Sequence, residues 1–131
     1  MKPINLLGAA AALAMAATPA FAASWVYVTT HDNGADYYYD SDTIQRYGNQ
    51  VTVWRKLDHS RNKTVKYRSE KSQYRYDCSR RTYTLLNIIT YYPDGKVETF
   101  TWQMHEQKIE SIAPETVSEA VLEAVCAATA P

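Results

Sequence analysis

Few side chains of this sequence are grouped as catalysis or metal binding requires. The sequence contains three histidines: His31, His59 and His105. They fall in a turn, a loop and a strand end, and none belongs to a His-x-x-x-His or Glu-His metal motif. The aspartates between Asp36 and Asp42 lack the glycine and the distal glutamate of a calcium-binding EF-hand loop. The sequence has neither a Gly-x-Ser-x-Gly elbow nor a phosphate-binding loop, so we expect a non-enzymatic protein with no metal and no cofactor.

The two cysteines have the most clearly defined chemistry. Cys78 and Cys126 are the only cysteines of the chain. They lack the Cys-x-x-Cys spacing of a redox enzyme and the nearby histidines of a metal site. An even number of cysteines in a small exported domain is typical of structural disulfides, so we predict a Cys78–Cys126 bond.

Tyrosine and basic side chains suggest a binding surface. The chain has eleven tyrosines and three tryptophans, and tyrosine provides rigid contact area with a polar tip. Pairing of tyrosines across the strands of a small sheet would explain the same composition. We expect Trp54, Tyr83 and Trp102 in the core, and an exposed patch at four tyrosines flanked by basic residues. The predicted protein-binding residues are Tyr37, Tyr39, Arg55, Lys56, Tyr67, Arg68, Tyr74 and Arg75.

Charge is balanced over the chain but unevenly distributed. The full sequence has 14 basic and 14 acidic residues. Residues 46–81 hold eleven basic and three acidic side chains, whereas the segments before and after are acidic. The balanced total argues against a simple polyanion binder, and we expect no nucleic-acid partner. We expect neighbouring elements to neutralise the basic block in the fold, with an anion-binding face as the alternative.

The first 22 residues predict export. Lys2 precedes an apolar run over 6–17, and Ala20-x-Ala22 offers the small residues of a signal-peptidase site. The run is too short to span a bilayer, so we expect a cleaved signal peptide at 1–22 and one domain at 23–131 that does not span the membrane. No cysteine lies near the cleavage point, so we expect a periplasmic, secreted or cell-surface protein without a lipid anchor.

The apolar periodicity predicts an α+β fold. An antiparallel sheet of about five or six strands is expected, with one C-terminal helix packed on it and tied by the disulfide. The helix should begin at Pro114, because valines and alanines then recur at helical spacing. A change of parity suggests a bulge near Ser69–Ser72, and Tyr92–Gly95 suggests a hairpin turn whose second strand points Phe100, Trp102 and Met104 inward. The predicted strands are 24–30, 37–39, 50–58, 65–77, 81–92 and 96–105.

Several local motifs resemble the surface-adhesin protein E family of Gram-negative bacteria. The most specific is Asp77–Tyr83, read as Asp-Cys-Ser-Arg-Arg-Thr-Tyr, with the second cysteine in a C-terminal helix. The other matching segments are Tyr38–Asp40, Ile44–Arg46, Val51–Trp54, Tyr67–Ser69, Tyr92–Gly95 and Ile112–Pro114. The resemblance covers essentially the whole domain, and it implies an antiparallel sheet with a disulfide-held helix.

The resemblance also implies a function. The named member of the family is a lipid-anchored surface adhesin that binds host matrix and serum proteins and can dimerise. We therefore expect an exported envelope protein that binds a protein partner, either a host matrix or serum protein or an envelope component, and that can form a homodimer. The alternative is a structural or accessory periplasmic protein with no adhesive role.

Overall fold

The computed structural model describes residues 23–130. The predicted signal peptide at 1–22 lies outside the described residues. Short 3-10 helices occur at Ser41–Thr43 and Met104–Glu106. The strands and the α-helix are β1 (Trp25–Thr30), β2 (Asp36–Asp40), β3 (Gln45–Tyr47), β4 (Gln50–Asp58), β5 (Ser69–Asp77), β6 (Thr82–Tyr91), β7 (Val97–Thr101), β8 (Glu110–Ser111) and α1 (Val117–Ala128).

The strands form a single antiparallel sheet in the order β1-β2-β4-β5-β6-β7. The short strands β3 and β8 pair with β4 and β6, where they lie beside β2 and β7 along the same edges. The α+β class and the helix on an antiparallel sheet are confirmed, but the sheet has eight strands instead of five or six. The two extra strands have two and three residues, which is too short to show an alternating pattern in sequence.

The alternation of β4 defines the two faces of the sheet. Its buried residues Val51, Val53, Arg55 and Leu57 point to the side on which α1 packs, which we call the helix face. The other side is the open face. By strand register its side chains include Trp25, Tyr27, Tyr38, Lys56, Lys71, Gln73, Asn87 and Tyr91.

The core lies between α1 and the helix face. Val121, Leu122 and Val125 of α1 are at most 1% exposed and pack with Tyr39 and Tyr76 of the sheet. The helix begins at Val117 instead of Pro114, because Thr116 caps it: the Thr116 hydroxyl accepts a hydrogen bond from the backbone N–H of Glu119 at 3.2 Å.

The disulfide joins the helix to the end of β5. Cys78 and Cys126 are bonded as predicted. Arg81, which follows the same strand, forms an ion pair with Glu119 of α1 at 2.7 Å. Arg61 forms another with Asp36 at 2.7 Å. Both arginines belong to the basic block and both partners to the acidic flanks, so part of that block is neutralised within the fold.

The hairpin of β6 and β7 is confirmed, with a hydrogen bond from the N–H of Gly95 to the carbonyl of Tyr92 at 3.0 Å. Its predicted inward side chains are wrong in two cases. Phe100 is 51% exposed and Met104 is 86% exposed, because β7 ends at Thr101 and α1 lies over β1, β2 and β4 instead. Trp102 is half-buried and packs edge-on against Phe100, with ring centroids 4.5 Å apart, outside the core cluster at α1.

Three further expectations for the sheet are corrected. Trp54 is half-buried on the open face instead of in the core, because its parity is opposite to that of the valines in β4. β5 begins at Ser69, so the loop before it runs over residues 59–68. The bulge lies between Gln73 and Tyr74 instead of near Ser69–Ser72. At that point β6 contributes the extra residue, Leu86.

Candidate protein-binding face

The eight candidate binding residues do not share one face. Lys56 and Arg75 lie on the open face. Tyr67 and Arg68 lie in the loop before β5. The helix face holds the other four: Tyr37, Tyr39, Arg55 and Tyr74. The structure therefore separates the basic and aromatic residues that the sequence placed in one patch.

The expected exposure of Tyr39 and Arg55 is wrong. Tyr39 is 9% exposed and Arg55 is 5% exposed. Both follow the parity of Val53, which packs against α1, and this parity overrides the usual preference of arginine for the surface. Half-buried Tyr37 and Tyr74 also pack against the core cluster, so these four side chains serve the interior of the domain.

Arg55 is held by aromatic rings. Its Nη1 donates a hydrogen bond to the hydroxyl of Tyr76 at 2.8 Å. Its guanidinium carbon lies 4.0 Å from the ring centroid of Tyr74 and 5.5 Å from that of Tyr37. Ring faces attract cations, and this attraction is strengthened by burial, so the tyrosines replace the carboxylate that a buried arginine usually has.

Tyr76 makes the stability of the domain sensitive to alkaline pH. Burial raises the pKa of Tyr76 from 10.0 to about 12, and nearby Arg55 only partly opposes this effect. Because the folded protein holds this proton more tightly than the unfolded chain, stability is retained below pH 10 and falls as pH rises toward 12. We expect Tyr76 to contribute a loss of about 1.4 kcal/mol per pH unit in that window.

Urea denaturation at about pH 9 and about pH 11 measures this loss, with Tyr76→Phe as the control variant. The variant should be less stable at the lower pH, since Arg55 loses its hydrogen-bond partner, but it should lose less stability between the two values. An equal loss in both proteins would show that Tyr76 does not titrate in this way.

The open face carries a cluster of two lysines and three aromatic rings. Lys56 and Lys71 are direct cross-strand neighbours on β4 and β5. The Nζ of Lys56 lies 5.0 Å from the ring centroid of Trp25 and 4.7 Å from that of Tyr38. The Nζ of Lys71 lies 5.8 Å from the Trp25 centroid and 5.4 Å from that of Tyr91. We call these five residues the lysine–aromatic cluster.

Tyr27 and a polar ladder extend the cluster across the sheet. Tyr27 is 55% exposed and packs edge-on against Tyr38, with ring centroids 5.7 Å apart. On the other side Asn87 donates to Gln73 and accepts from Thr101, both at 2.6 Å. These bonds order the side chains of the open face, and the exposed aromatic edge is of the kind enriched at protein interfaces.

Of the lysine–aromatic cluster, only Lys56 was among the eight predicted protein-binding residues. The remaining four residues, Trp25, Tyr38, Lys71 and Tyr91, lie on four other strands. The parity of Lys56, opposite to that of Val53, is the signal that separates the open face from the helix face. Assigning the other members requires the strand register, which the sequence alone does not provide.

A second surface feature lies on the helix face beside β6. A cavity of about 230 Å³ is lined by Tyr83, Leu85, Trp102, Glu106, Lys108 and Glu110. Its three charged residues are exposed to solvent. Within residues 23–130 no group of three or more His, Cys, Asp or Glu side chains is placed to hold a metal ion.

The fold and its faces define a small sheet-and-helix domain with a disulfide and an open face that carries the lysine–aromatic cluster. The model of the surface-adhesin protein E family matches residues 25–127, and the chain belongs to this family. Membership of this family suggests a non-enzymatic protein that is exported or at the cell surface and binds a protein partner. None of the helices in the described part of the chain is long and apolar enough to cross a membrane.

Solved structures of protein E from Haemophilus influenzae share the fold. Crystal form II is 15% identical, with a TM-score of 0.59 over 84% of this chain and 92% of that chain. The selenomethionine form is 16% identical, with a TM-score of 0.57 over 84% of this chain and 92% of that chain. No curated protein matches the chain at a significant level. At identities this low, the matches show only that the fold is shared.

Proposed function

We propose that this chain is an exported, non-enzymatic envelope protein that binds a protein partner through the open face of its sheet. Residues 1–22 act as a cleaved signal peptide, and the mature domain is periplasmic, secreted or displayed at the cell surface without a lipid anchor. The Cys78–Cys126 bond supports export, because disulfides persist in oxidising compartments. The partner is a host matrix or serum protein or another envelope component.

The observation that carries this proposal is the composition of the open face. It combines exposed Tyr27 with the lysine–aromatic cluster, whereas α1 packs on the opposite face over β1, β2 and β4. Aromatic side chains dominate the energetics of protein interfaces, and basic groups add orientation and speed of association. A second copy of the chain is a further proposed partner, with pairing along the edge strand β1 or β7.

The paired variants Tyr27→Ala and Phe100→Ala test whether the open face binds the partner. The two side chains are similarly exposed, at 55% and 51%, but Phe100 lies on the helix face of β7. The immobilised mature domain is used to capture proteins from envelope extract and from host-matrix extract. We expect Tyr27→Ala to reduce capture about tenfold and Phe100→Ala to leave it nearly unchanged. A larger loss of capture for Phe100→Ala than for Tyr27→Ala would place the partner on a surface other than the open face.

Localisation separates an adhesin from an accessory periplasmic protein. Protease added to intact cells should digest a surface-displayed domain and spare a periplasmic one. Digestion only after the outer membrane is opened would favour the accessory role, in which the open face binds an envelope component. Digestion on intact cells would favour contact with host proteins.

A further inference from the structure

We propose that Lys56 and Lys71 form a binding site for a carboxylate on an acidic segment of the partner protein. This inference rests on the proposed function and names the chemistry of the partner. Its starting point is the register of β4 and β5, which places the two lysines directly opposite each other. Like charges in this arrangement destabilise a sheet unless an opposite charge compensates them.

Within the described residues, none of the surrounding carboxylates lies within ion-pair distance of the two lysines. None of the ion pairs within residues 23–130 includes Lys56 or Lys71. On the open face Asp36 accepts hydrogen bonds from Arg61 and Thr30. Asp58 accepts one from the N–H of Ser60. Glu70 points to the helix face, where it lies 3.5 Å from His59.

The two ammonium groups share one aromatic ring. Both Nζ atoms lie within 6 Å of the Trp25 ring, at 5.0 and 5.8 Å from its centroid. Tyr38 and Tyr91 lie on either side of the pair. Ring faces attract each ammonium group, and each ammonium keeps donors that the ring faces do not satisfy. The site is thus ordered before an anion arrives.

The distribution of charge favours a single carboxylate over a long polyanion. Asp36 and Asp58 lie opposite each other at one end of β2 and β4, beyond the lysine–aromatic cluster. A sulfated glycan chain that follows the sheet would meet these carboxylates. A short acidic segment places one carboxylate between the lysines and its apolar neighbours against Trp25 and exposed Tyr27. The partner is therefore a protein whose acidic residue has apolar neighbours.

A capped synthetic peptide with two adjacent glutamates between leucines is the probe, and its glutamine counterpart is the reference. Binding to the mature domain is measured by calorimetry or chemical-shift titration. We expect Lys56→Gln/Lys71→Gln to lower the affinity for the glutamate peptide about tenfold. The control, Lys63→Gln/Lys66→Gln, removes the same charge from the exposed loop and should change this affinity by less than about twofold. The glutamine peptide should bind the wild-type domain about as weakly as the glutamate peptide binds Lys56→Gln/Lys71→Gln.

Three results would overturn the inference. The first is no detectable binding of the glutamate peptide to the wild-type domain. The second is equal loss of affinity in both lysine variants. The third is tighter binding of a heparin-type oligosaccharide, which would assign the site to a glycan. Near-ultraviolet circular dichroism checks that each variant is folded. If Tyr27→Ala still abolishes capture while the lysine variants have no effect, only this inference fails and the proposed function stands.

Discussion

Loss of the Cys78–Cys126 bond is expected to lower the free energy of unfolding by about 4 kcal/mol. The bond joins residues 48 positions apart, and closing a loop of this length restricts the unfolded chain strongly. It also holds the last turns of α1 against the end of β5. Small domains have a total stability of about 5–15 kcal/mol, so this loss leaves a marginally folded protein.

Urea denaturation of Cys78→Ser/Cys126→Ser beside the wild type measures this loss. A reducing agent should shift the wild type to the midpoint of the double variant and should leave the variant unchanged. A difference below about 1 kcal/mol would show that α1 is held by its apolar contacts alone. Those contacts, with the ion pair of Arg81 and Glu119, are expected to keep the helix docked in the reduced protein at low temperature.

Leu122→Ala is expected to lower the free energy of unfolding by about 3 kcal/mol, within the range of about 2–5 kcal/mol for buried leucines. Leu122 is 1% exposed and packs in the cluster that joins α1 to the sheet. Truncation removes apolar contacts and leaves a cavity that the sheet behind it fills only in part.

Glu123→Ala on the next position is the control. Its side chain is 63% exposed and lies 3.3 Å from Arg81, so its removal should cost less than about 1 kcal/mol. Urea midpoints of the two variants give the comparison. Similar values for both would mean that the apolar face of α1 does not carry the packing of the domain.

Apolar alternation predicted the parts of the fold that are long and regular. β4 shows it over nine residues, and the helical stripe of α1 correctly included Val121 and Val125. Arg55 shows where residue type misleads: its charge suggests the surface, whereas its parity with Val53 places it inside. The parity prevails because Tyr74, Tyr37 and Tyr76 supply contacts to the guanidinium.

The candidate site was less accessible to sequence reasoning because it is built by register. Lys56 and Lys71 are 15 positions apart in sequence and become neighbours only when β4 and β5 pair. Trp25 reaches them from β1, which is separated from β4 by the strand β2. A one-residue slip in any of these pairings would move the side chains to the other face, so composition alone does not define the lysine–aromatic cluster.

Lysine acylation followed by mass spectrometry tests the open face most directly. The domain is labelled free and after capture of its protein partner, and each lysine serves as a reporter of its own surroundings. Binding through the open face predicts that Lys56 and Lys71 are protected in the complex, while Lys63 and Lys96 react as in the free domain. Unchanged labelling of Lys56 and Lys71 in an intact complex would contradict it.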